Sequence, residues 1–133
     1  YNVQHFFDYN VYGHIDYVFR YGPETVTSEV FENKYFPEIC EIVEEILKNI
    51  IKNGKGIEIN TGSLYRGMDF AHPHPLILKM YKELGGEILT IGSDAHDYEH
   101  IGFGFEPAKA LAKAHDFKYF CTFKDMKPKF HPL

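Results

Sequence analysis

Segments of helix-type and strand-type periodicity alternate along this chain, and that alternation leaves few architectures open. Ile39, Ile42, Val43, Ile46, Leu47 and Ile50 recur at helical spacing, with Glu38, Glu41, Glu44 and Glu45 early in the run. This pattern predicts a helix over 37–53, stopped by Gly54. A strand is predicted at 56–60, followed by a polar, glycine-containing loop over 61–69. Pro75 opens a second predicted helix, 76–84, closed by Gly85-Gly86. Then come a strand at 88–92, a Gly- and His-rich loop at 93–104, a helix at 107–115, a strand at 118–123 and a proline-containing tail. Upstream, 11–19 is a strand candidate, preceded by a helical turn within 3–9. The order strand, helix, strand, helix, strand, helix, strand predicts an α/β fold. Its parallel sheet is either open or closed as a barrel, with active groups at the carboxyl ends of the strands.

The apolar run Glu87-Ile88-Leu89-Thr90-Ile91-Gly92 ends abruptly in Ser93-Asp94-Ala95-His96. On an extended backbone residues two apart point the same way, so Asp94 and His96 are expected to leave one face together. A hard anionic oxygen beside a neutral imidazole suits Zn, Mn or Fe better than Ca or Mg. The alternative is a strand end whose Asp caps the next helix and whose His faces solvent. His14, in Tyr12-Gly13-His14-Ile15-Asp16-Tyr17, lies within the first strand candidate and reads either as a satisfied strand histidine or as a second metal-type position.

Arg20 and Arg66 are the only arginines of the chain, and both follow predicted strands. The planar guanidinium fork suits phosphate, and a surface ion pair is the alternative for each. Glu58 and Asn60 share one face of the second strand and are substrate or supporting contacts if that face lines a barrel mouth. His72 and His74, in His-Pro-His-Pro, read as loop residues, and His5, His115 and His131 as ordinary ones. His100, four residues after His96, has no assigned role. There is no GxSxG elbow, Walker loop or HExxH, and Gly102-Phe103-Gly104 does not extend to a dinucleotide fingerprint.

At 133 residues and 44% hydrophobic content the chain is one domain or part of one, with enough apolar side chains for a core. A net charge of -5 argues against a protein that tracks a nucleic-acid backbone. No run approaches the roughly 18 apolar residues of a membrane span, and no signal pattern opens the chain, so no membrane partner and a cytoplasmic location are expected. Cys40 and Cys121 have no metal-type spacing and are expected as buried free thiols.

Four motifs, in order, carry a resemblance that covers essentially the whole chain. They are Gly13-His14-Ile15-Asp16-Tyr17 with Arg20-Tyr21-Gly22, Gly56-Ile57-Glu58-Ile59-Asn60-Thr61-Gly62, Gly92-Ser93-Asp94-Ala95-His96 and Phe120-Cys121-Thr122-Phe123-Lys124. Together they resemble the C-terminal half of the histidinol-phosphatase branch of the PHP (polymerase and histidinol phosphatase) superfamily. The resemblance implies the C-terminal half of a distorted (β/α)7 TIM-like barrel with up to three divalent transition-metal ions. It implies hydrolysis of L-histidinol phosphate to L-histidinol and phosphate, a step of histidine biosynthesis. It makes His14, Asp94 and His96 metal ligands, with Asp94 and His96 also candidates for handling protons, and makes Arg20 and Arg66 the holders of the substrate phosphate. The family's opening His-x-His, its bridging Glu and a further His have no counterpart here. The N-terminal half of the same barrel is therefore an expected partner, this piece is expected to be inactive alone, and its exposed seam is expected to favour self-association. The alternatives are a PHP-type phosphoesterase for another small phosphate ester and a non-catalytic, metal-free module.

Overall fold

The computed structural model describes residues 1–6, 8–21 and 26–133. Gly22, the last residue of the first motif, lies outside the described residues. Strand β2 (Gly56–Asn60) is the centre of a three-stranded sheet, with β1 (Val11–Tyr12) on one side and β3 (Leu89–Gly92) on the other, both parallel to it. The register sets Tyr12 beside Ile57, Glu58 beside Thr90 and Asn60 beside Gly92. Parallel neighbours need long crossovers, and helices supply them, as the alternation predicts.

After a short helix α1 (Asn2–His5) and β1, the chain runs through a 3-10 turn (Tyr17–Tyr21) and a brief α2 (Ser28–Val30). A π turn (Phe31–Tyr35) then leads into the long α3 (Phe36–Lys52). The helix α4 (Pro75–Glu83) joins β2 to β3, and α5 (Phe105–Ala114) follows β3. Alternation along β2 divides its residues between two environments. Ile57 and Ile59 are fully buried in one cluster with Val43, Leu47 and Ile50 of α3 and with Ile77 and Leu78 of α4. Glu58 and Asn60 take the opposite face. Burying each such aliphatic side chain contributes roughly 1.5–3 kcal/mol, so the helices and the sheet are stable only against one another.

Several expectations are corrected. The strand candidate 11–19 ends after Tyr12, because His14 turns the backbone into the left-handed region at φ 54° and Asp16 is drawn into a buried hydrogen-bond pair. The helical turn within 3–9 is the shorter α1, ending at His5, and residue 7 lies outside the described residues. The last strand, β4 (Tyr119–Lys124), is not a fourth parallel strand. It turns at Asp125-Met126, both at positive φ, and pairs antiparallel with β5 (Lys127–Pro132), the segment expected as a tail. Pro128 and Pro132 are tolerated there because, among the described residues, β5 pairs on one side only. Of the thiols, both free, Cys121 is buried and Cys40 is partly exposed; Ile42, on the apolar stripe of α3, is 62% exposed.

His72 and His74 lie in the loop that leads into α4, as expected. Both are fully buried. Asp16, 2% exposed, accepts from His72 Nδ1 at 2.9 Å and from the His74 backbone N–H at 2.7 Å. His74 Nδ1 in turn accepts from the Leu76 N–H at 3.2 Å, capping α4, while Nε2 faces Ser28 Oγ at 2.7 Å. Burial holds the His74 pKa below its ordinary 6.5, and the cap needs the neutral ring. A histidine depressed in the folded state stabilises above the unfolded pKa, and that contribution fades as pH falls from there through the folded value. Urea unfolding at pH 7.5 and 5.5 should therefore show a loss of stability in acid, and His74→Asn should show a shallower loss.

Candidate active site

The carboxyl ends of the three parallel strands bring most of the predicted site residues together. His14 follows β1, Asn60 ends β2, and Asp94 follows β3. His14 Nε2 lies 3.8 Å from Asp94 Oδ2. Arg66 Nη1 donates to the same Asp94 oxygen at 3.2 Å, with both side chains three-quarters buried or more. Coulomb attraction at that depth exceeds the value of an exposed pair, and the planar fork is held a second time by the Gly62 carbonyl at 3.1 Å.

Asp94 and His96 do not leave one face of an extended strand. Asp94 is at φ 51°, a left-handed conformation that Asp tolerates better than most residues. The turn folds His96 back, so that its Nδ1 lies 2.8 Å from the Asp94 carbonyl and 3.1 Å from Arg66 Nη2. A carbonyl only accepts and a guanidinium only donates, so one Nδ1 satisfies one of them at a time. When Nδ1–H donates to the carbonyl, Nε2 keeps its lone pair at the exposed side of the ring. His14 and Asp94, the two facing candidate ligands, are both left-handed non-glycine residues. Such residues each carry roughly 1–3 kcal/mol of strain and concentrate at functional sites.

Arg20 is held differently. Its Nη1 donates to Tyr17 Oη at 2.6 Å, and its guanidinium lies over the Tyr17 and Tyr21 rings at 5.3 and 5.5 Å. Among the described residues no carboxylate pairs with it. The hydrogen bond with Tyr21, then burial, keeps the Tyr17 phenol above its ordinary pKa, so a neutral oxygen accepts from the cation. Tyr17 also packs edge-on against His14, with ring centroids 4.8 Å apart. Tyr65 donates to the Asp94 carbonyl at 2.8 Å and stacks on His100. Tyr17 and Tyr65 carry no sequence signal that separates them from the other aromatics of the chain.

The donor chemistry suits a transition-metal ion in part. His14 and Asp94 face each other, and His96 offers one nitrogen nearby. Among the described residues, no three His, Cys, Asp or Glu side chains converge closely enough to hold an ion alone. The set fits a share of a larger cluster and not a closed cage.

No family model matches the chain. It is 37% identical over 126 residues to the histidinol-phosphatase of Lactococcus lactis subsp. lactis, covering 94% of this chain and 44% of that protein. It is 35% identical over 113 residues to a probable histidinol-phosphatase of Thermotoga maritima, covering 84% and 43%. A crystal structure of the Lactococcus lactis histidinol phosphate phosphatase, complexed with zinc, L-histidinol and phosphate, matches with a TM-score of 0.71 at 33% identity. That match covers 96% of this chain and 46% of the other. The chain thus spans less than half the length of the curated relatives it matches, which are named as a histidinol-phosphatase and a probable histidinol-phosphatase.

Proposed function

We propose that this chain forms the C-terminal half of a distorted (β/α)7 TIM-like barrel of PHP type, and that the complete barrel hydrolyses L-histidinol phosphate to L-histidinol and phosphate. One observation carries the reading: His14 and Asp94 face each other at the strand ends while Arg66 is anchored on the same Asp94 carboxylate. The named relatives support the substrate.

In this reading His14, Asp94 and His96 hold divalent ions, Zn, Mn or Fe, together with ligands from the N-terminal half. Bound there, the ions supply hydroxide at neutral pH and offset phosphoryl charge. Arg66 and Arg20 orient the phosphate from two sides, Arg66 fixed by Asp94 and Gly62, and Arg20 fixed by Tyr17. Positioning of this kind is most of what phosphoryl transfer asks of a protein. In the same reading Asp94 and His96 also hold or pass a proton at the leaving oxygen.

The outer edge of β1, unpaired among the described residues, is where the N-terminal half would add its strand, and where a lone fragment would self-associate. The test is phosphate release from L-histidinol phosphate, glycerol phosphate and a nucleoside monophosphate by the complete barrel, with the isolated 133-residue chain beside it. Turnover of the first ester by the complete barrel, and none by the isolated chain, is expected. Equal rates on all three would point to a less selective phosphoesterase. A complete barrel without metal or turnover would leave a non-catalytic module.

A further inference from the structure

The Asn60 side chain, 2% exposed, has its amide orientation fixed by its neighbours. The Gly62 N–H can only donate, so the atom facing it at 3.0 Å is Oδ1. The two hydrogens of Nδ2 therefore point the other way, toward Glu58 Oε2 at 3.2 Å and His14 Nε2 at 2.9 Å. Both neighbours must accept. His14 is then a neutral ring with its proton on Nδ1, and its one available lone pair, on Nε2, is already taken.

Glu58 reaches this place because strands β1 and β3 leave room for it: a methyl group on Gly92 would collide with its Oε1, and one on Gly13 would come within 3.2 Å of Oε2. Gly62 is equally confined, because an added methyl would meet Arg66 Nη1, Asp94 Cβ and Asn60 Oδ1 within 3.0 Å. Asn60 thus joins the His14 side of the site to the Arg66–Asp94 side through the backbone of one residue, Gly62.

A lone pair in the plane of an imidazole serves one partner. We propose that Asn60 is a placeholder on the metal-ligating nitrogen of His14: its amide N–H caps Nε2 and must be displaced before His14 can ligate. The proposal rests on the metal reading of His14. Asn60 keeps the ring in place and in the tautomer that a ligand needs, at the expense of affinity, because its buried N–H loses a partner when the ion enters.

The sign of one measurement separates a placeholder from a simple support. Zinc affinity of the complete barrel, where the N-terminal half supplies the remaining ligands, is measured by competition with a chromophoric chelator, for wild type, His14→Ala and Asn60→Ala. His14→Ala should weaken binding about tenfold or more. Asn60→Ala should tighten the His14-dependent binding about three- to tenfold, the worth of one net hydrogen bond. Equal affinity in wild type and His14→Ala would remove the ligand role itself, and with it the placeholder. A His14-dependent affinity that Asn60→Ala weakens or leaves unchanged overturns the placeholder alone. Should Asn60→Ala fail to fold, wild type suffices: the scalar coupling across the Asn60 N–H···N His14 hydrogen bond, read by NMR, should disappear at zinc saturation. Its persistence there overturns the proposal.

Discussion

Asp94→Asn in the complete barrel is expected to lower kcat/KM for L-histidinol phosphate on the order of 10³-fold or more, with loss of bound metal. The substitution keeps the shape of the side chain and removes its charge. That charge does two things at once. Oδ2 stands 3.8 Å from His14 Nε2, where an anionic donor would complete a pair of ligands, and it receives Arg66 Nη1 at 3.2 Å. A neutral amide is a poor ligand for a transition metal. It also releases a guanidinium whose aim at the phosphate depends on that anchor, so metal content and KM should change together. Stopped-time phosphate assays and metal analysis on the same preparations would check this. Wild-type rates with full metal content in the variant would remove Asp94 from its assigned role.

The partial legibility of this site in the sequence follows from what each residue depends on. The parallel β1-β2-β3 order and the helices between them follow from local periodicity, because Ile57, Ile59, Leu47 and Ile77 have to bury the same faces whatever surrounds them. Convergence of His14, Asp94 and Arg66 follows from that topology, since each lies just past the carboxyl end of a parallel strand. Non-local partners decided the rest. His14 and Asp94 turn at positive φ, which an apolar alternation does not encode, and so the predicted shared face of Asp94 and His96 did not form. Asp16, in the middle of an apolar run, was itself the signal that the first strand stops, because Asp is depleted in strands. Its reason for burial lies 56 residues away, at His72.

Asp16→Ala is expected to destabilise the 133-residue chain by roughly 3 kcal/mol, more than any exposed substitution near the site. The carboxylate satisfies two donors that water does not reach, His72 Nδ1–H and the His74 N–H. Truncation leaves both without an acceptor, and each orphaned donor costs roughly 1–3 kcal/mol. Few internal substitutes are at hand. The His72 backbone is already paired with Asn60 in both directions, at 2.6 and 3.0 Å, which fixes the ring's position, and His72 Nε2 is itself buried with no hydrogen-bond partner among the described residues. Asp16→Asn should cost less. Its oxygen still serves one donor, and a change of His72 tautomer lets its amide serve the other position, which moves the ring proton to the partnerless Nε2. Urea unfolding of the three proteins should give midpoints in the order wild type, Asn, Ala, with unchanged slopes. An Ala variant within 0.5 kcal/mol of wild type would mean that solvent or a rearranged loop replaces the carboxylate, and that Asp16 does not tie the His14 turn to the 72–74 segment.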